Sequence, residues 1–86
     1  MLNNYFPPRE LRAINALMQH PMPREKLDRE AGCSNSPELV SNLRRKGLEI
    51  PCERVKDRDR DGQEIRRGVY YLTVADRDRI RMWSNL

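Results

Sequence analysis

Apolar residues recur along the first half of this chain at helical spacing and along much of the second half by alternation. Leu11, Ile14, Leu17 and Met18 fall three or four positions apart, which predicts a helix over 9–19 with one buried stripe. His20-Pro21-Met22-Pro23 is too rich in proline to continue that helix and reads as a linker, with His20 placed against the negative end of the dipole. From Arg24 to Ala31 a second helix brings Leu27 and Ala31 onto one face. Gly32 then fits the left-handed position that ends a helix, because it has no Cβ to clash there. Ser34, Asn35 and Ser36 are all N-cap types, and Pro37 suits a first helical position. Leu39, Val40 and Leu43 supply the apolar positions of this third helix, Val40 and Leu43 fitting the core best. Gly47 closes it. Residues 24–46 therefore read as two short helices joined by a tight turn.

The period changes at Leu48. Leu48 and Ile50 alternate, Pro51 marks an edge or a bulge, and the strand resumes through Cys52-Glu53-Arg54-Val55-Lys56. Asp57 to Gly62, DRDRDG, reads as a turn with an Asp-Gly hairpin signal, and a return strand runs from Gln63 or Glu64 to Thr73. On that strand Tyr70 and Leu72 share one face, Val69 and Tyr71 the other. Thr73 caps a last helix over 75–84, with Asp76 near its positive end. Residues 1–7 form a lead-in whose Tyr5 and Phe6 tuck against the domain. The order helix, helix, helix, strand, strand, helix predicts one α+β domain over residues 1–86.

Charge adds a direction to this layout. The chain of 86 residues carries a net charge of +4, but residues 1–43 hold five basic and five acidic side chains, which cancel. Residues 44–86 hold twelve basic and eight acidic, so the whole excess begins in the third helix. That asymmetry points to an anionic partner touching this helix and the residues after it.

The run LxxxAG–CSNS–PELVSNLRRKGLEI resembles the second and third helices of a winged-helix DNA-binding domain. LRRKGLEI is its strongest part, matching the passage from helix through Gly and an apolar residue into a strand. With the Tyr-Tyr-Leu-Thr strand, the resemblance extends over roughly residues 9–74 to small helix-turn-helix proteins of bacteriophage and prophage genomes. It implies a winged helix-turn-helix fold of three helices, a two-stranded wing over 48–73 and a short C-terminal helix, with Tyr70 and Leu72 facing inward. It also implies duplex DNA as partner, in a regulatory or accessory role.

Base and phosphate recognition asks for small polar residues and Arg on the exposed front of the third helix. The candidates there are Ser34, Asn35, Ser36, Glu38, Ser41, Asn42 and Arg45. Asn42 suits adenine, Arg45 suits guanine or a phosphate, and Ser34 and Ser36 suit capping or phosphate binding. Arg44 and Lys46 are candidate phosphate contacts, as are Lys56, Arg58, Arg66 and Arg67 on the flanks of the wing. The three aspartates of the wing tip oppose a phosphate. The first turn, Pro37-Glu38-Leu39, departs from phage-type relatives, which often carry Arg or another polar residue there. An exposed Leu39 would meet a thymine methyl or a protein. An alternative reading is therefore a protein-interaction module whose anchors are Leu39 and Trp83. Ile80 and Trp83, three apart, offer a contact for a homodimer through the last helix.

Other chemistries find little purchase. DRDRDG matches the first six positions of a calcium loop, but its twelfth position is Gly68 in place of the bidentate Glu, so no calcium site is expected. Cys33, Cys52 and the lone His20 lack metal-ligand spacing, and Cys33 reads as a small core residue. No nucleophile–base pair or phosphate loop suggests catalysis, and no cofactor is expected. The start, MLNNYFPP, lacks the basic and apolar regions of a secretory signal, and no apolar run has membrane-spanning length. A cytoplasmic protein with reduced thiols is the expectation.

Overall fold

Helix α1 (Pro8–Gln19) buries Ala13, Ile14, Ala16 and Leu17 on one stripe, with Leu11 and Met18 packed at its margins. The computed structural model describes residues 6–84 as four helices and a three-stranded antiparallel sheet, an α+β arrangement. Tyr5 lies outside the described residues, whereas Phe6 is buried in the core. Helix α2 (Arg24–Ala31) turns Leu27 and Ala31 fully inward and stops at Gly32, whose φ of 72° is left-handed. A Cβ there would also press on the Arg12 guanidinium at 3.3 Å. That guanidinium donates from Nε to the carbonyl of Ala31 at 2.9 Å, tying α1 to the end of α2. Helix α3 (Ser36–Arg45) buries Leu39, Val40 and Leu43 against them.

The linker before α2 holds a strand that periodicity misses. Met22–Pro23, β1, pairs with the return strand, Met22 opposite Tyr70 and Pro23 opposite Val69. Proline is tolerated because β1 is an edge strand, and Met22 fills the core beneath it. The long hairpin is β2 (Cys52–Arg58) and β3 (Glu64–Tyr70), and the sheet order is β1-β3-β2.

Two expectations about strand ends are corrected. Leu48 and Ile50 do not begin a strand; they plug the core from an irregular segment, and β3 ends at Tyr70 rather than Thr73. The irregular course of residues 48–50 follows from Asp76, a buried carboxylate at the start of α4 (Val74–Ser84). It accepts hydrogen bonds from the backbone N–H of Glu49 at 2.7 Å, Ile50 at 2.9 Å and Thr73 at 3.2 Å. Those N–H groups are therefore lost to any sheet ladder. Thr73 reciprocates by accepting from the N–H of Asp76 at 3.0 Å, a capping arrangement. Ile50 sits at φ 37°, a region that β-branched residues avoid. It is held from both sides, since its carbonyl accepts from Arg44 at 2.7 Å.

Helix α4 closes the body. Ile80 is buried, and the Trp83 ring packs on Phe6 with centroids 5.4 Å apart. A Cβ at Gly47, where φ is 115°, would come within 3.9 Å of Trp83. Ile80 and, in part, Trp83 thus pack against the chain's own core. Among the described residues no helix is long and apolar enough to cross a membrane.

Candidate nucleic-acid interface

Asp28 sets the pose of α3. Its carboxylate accepts from the Ser36 N–H at 2.8 Å, the Ser36 hydroxyl at 2.5 Å and the Cys33 thiol at 3.7 Å. The Ser36 hydroxyl bond, above all, holds the Asp28 carboxyl below its ordinary value. Ser36 is consequently buried with no exposed surface, which removes it from the candidate contacts. Three cap-type residues stand in a row here, and it is Asn35 that occupies the cap, accepting from the Glu38 N–H at 3.4 Å. Its amide nitrogen donates to the Glu38 carboxylate at 3.3 Å.

The remaining front of α3 is modest in charge. Ser34, Asn35, Glu38 and Arg45 are exposed, and Ser41 and Asn42 are half-buried. Arg45 donates to the Asn42 side-chain oxygen at 2.9 Å, which links the two on the surface of α3. Leu39 is buried, so the condition for an apolar contact outside, an exposed Leu39, is not met. Arg44 spans the carbonyls of Glu49 at 3.1 Å and Ile50 at 2.7 Å, and so holds the segment after α3. Lys46 likewise turns back: its ammonium pairs with the buried Glu10 at 2.8 Å and lies 4.7 Å from the Phe6 ring centroid. Arg9, from the start of α1, lines the same groove as Ser34, Asn35, Glu38 and Asn42.

The β2–β3 ribbon behaves differently. Every residue of β2 is exposed, and opposed residues in a ladder share a face while neighbours alternate. Arg54 opposes Gly68, Lys56 opposes Arg66 and Arg58 opposes Glu64, which puts Arg54, Lys56, Arg58 and Arg66 on one face. Glu64 is the single acid among them, 3.6 Å from Lys56. The other face carries Glu53, Val55 and Asp57 opposite Val69, Arg67 and Ile65. The alternating signs of the sequence are therefore sorted, because a charge pattern of period two becomes two faces of different sign. Arg67 falls on the second face, paired with Asp57 at 3.1 Å and Glu25 at 3.3 Å, and leaves the set of phosphate candidates.

The tip aspartates oppose phosphate less than their number suggests. Asp57 points to the second face, and Asp59 accepts from the N–H groups of Asp61 and Gln63 at 2.9 Å each, shaping the turn. Arg58 donates to the Gly62 carbonyl at 3.0 Å. Tyr70 lies at the base of the basic face opposite Cys52, half-buried, and burial pushes its phenol up from the ordinary value.

Two cations of this surface are absent from the sequence-based candidates. Arg54 is one, although its spacing with Lys56 and Arg58 already shows the period of two. Arg9 is the other, concealed by the balanced charge of the first half. No protein-family model matches this chain, and a search among curated proteins finds no match.

Proposed function

We propose that the chain is a winged-helix module that binds duplex DNA, with the exposed front of α3 toward the major groove and the basic face of the ribbon along a phosphate strand. The sorted ribbon face carries this reading. Four cations and one acid share a surface whose only apolar side chains among the residues of β2 and β3 are Cys52 and Tyr70 at its base. Such a surface gains nothing for the core, and its repulsions are relieved by a polyanion. The same sorting argues against pairing of the exposed β2 edge with another copy of itself. Antiparallel self-pairing keeps faces in register and would set like charges opposite one another, for example Arg54 against Lys56. Asn42 and Arg45 are the side chains able to approach base edges. The anchors of the protein-interaction alternative, Leu39 and Trp83, pack within the body. The resemblance to phage-type proteins suggests a small regulator or accessory factor.

The test is a salt titration of binding to a short random-sequence duplex by fluorescence anisotropy. The expected log–log slope is several units, since each neutralised phosphate adds about 0.9. Replacing Arg54, Lys56, Arg58 and Arg66 together by Gln should lower that slope by roughly 3.6 while leaving the fold intact. No binding at about 50 mM salt, where electrostatic contacts are strong, would overturn the reading.

A further inference from the structure

A cleft separates the start of α2 from the base of the ribbon. Pro23, Arg24 and Pro37 line it on the helical side, and Cys52, Arg66 and Tyr70 on the other. Arg24 and Arg66 are both exposed, and neither guanidinium makes a hydrogen bond or ion pair with any described residue. The acid on the rim, Glu25, is occupied by Arg67 at 3.3 Å. The two prolines offer no N–H and fix the backbone. Arg67, which also lines the cleft, is held by Glu25 and Asp57, and the Arg24 and Arg66 guanidinium groups and the Tyr70 phenol line it as further donors.

We infer that this cleft is a phosphate site, in which Arg24 and Arg66 grip the DNA backbone as it leaves the basic face of the ribbon and crosses toward α3. The inference rests on the duplex-binding reading and assigns it a residue outside the charge-rich half of the chain. Two guanidinium groups suit the site because each presents a planar fork of donors that matches phosphate oxygens. The neighbouring basic face supplies continuity: Arg66 belongs to both, and Arg54 opposes Gly68 on the cleft wall. A single strand of phosphates can thus run from Lys56 past Arg66 to Arg24 without meeting an unpaired acid on the cleft's rim.

Two measurements test this on the whole chain. Arg24→Ala and Arg66→Ala should each lower the salt slope for a random duplex by about 1, whereas Arg29→Ala, a matched loss of exposed charge from the same helix, should leave it unchanged. Saturating duplex should also slow alkylation of the exposed Cys52 thiol in the cleft, followed by peptide mass mapping. Equal effects of Arg24→Ala and Arg29→Ala, or Cys52 alkylating at the same rate with duplex bound, would overturn the cleft while leaving duplex binding in place. A wild-type chain that binds no duplex would instead remove the reading beneath it.

Discussion

The body and the ribbon use arginine in opposite ways. In the body, Arg12 donates to the Ala31 carbonyl, Arg77 to the Met18 carbonyl at 3.0 Å, Arg79 to the Gly47 carbonyl and Arg44 to those of Glu49 and Ile50. Each satisfies a carbonyl at a helix end or in an irregular segment, where no backbone N–H is available. On the ribbon, Arg54 and Arg66 project from one sheet face with no protein acceptor among the described residues. Net charge cannot distinguish these roles. A cation folded onto a carbonyl is part of the scaffold, and one left on a flat, unpacked ribbon is available to a partner.

The sharpest break of this comparison lies in the body. Asp76 satisfies three backbone N–H groups from two chain segments, and its surroundings are closed to water. Asp76→Ala should therefore cost about 3 kcal/mol or more, enough to unfold much of a small domain at 37 °C. Thermal melting followed by circular dichroism measures this. A midpoint within a few degrees of wild type would mean that residues 48–51 do not depend on the carboxylate.

A matched pair of variants sharpens the contrast at intermediate size. Arg77→Ala removes a half-buried charged donor from the end of α1 and should cost about 1–2 kcal/mol with duplex affinity little changed. Arg54→Ala should do the reverse, altering stability by less than about 0.5 kcal/mol while lowering the salt slope by about 1. Denaturant melts and anisotropy on the two proteins decide it. If Arg54→Ala destabilised the chain as much as Arg77→Ala, the ribbon face would be structural and the division between scaffold and surface would collapse.

Local rules made the helical half legible and left the junctions dark. The stripe of α1, the stop at Gly32 and the Thr73 cap follow from spacing and φ preference within a few residues of each position. The irregular course of 48–51 follows from Asp76, which is 26 residues away from Ile50 in sequence. Pairing with Tyr70 and Val69 of β3, far away in sequence, likewise turns Met22–Pro23 into β1. At the candidate interface, the alternation of Arg54, Lys56 and Arg58 was readable, as was the polar front of α3. Tertiary partners decided the rest: Glu10 draws in Lys46, Asp57 and Glu25 take Arg67, and Asp28 buries Ser36. Two adjacent cap types, Asn35 and Ser36, look alike as letters and differ only in which one faces the Asp28 carboxylate.

Asp28 supplies the smallest and most selective effect, because it acts through ionisation. Its folded-state pKa is depressed, mainly by the Ser36 hydroxyl, so the ionised carboxylate is the form that the fold favours. The contribution is present above the unfolded-state value of about 3.9 and is lost as pH falls through the lower folded-state value. Ser36→Ala removes the hydroxyl, and its deficit in stability should be about 1 kcal/mol near neutrality. That deficit should shrink below about pH 4, as the carboxylate protonates in wild type as well. Urea melts of both proteins from pH 7 down to about 3 would trace it, bracketing the carboxylate range. A deficit that stays constant across this range would show that Ser36 acts by packing alone. A deficit that vanishes in acid would identify the Asp28 charge as what holds α3 in place.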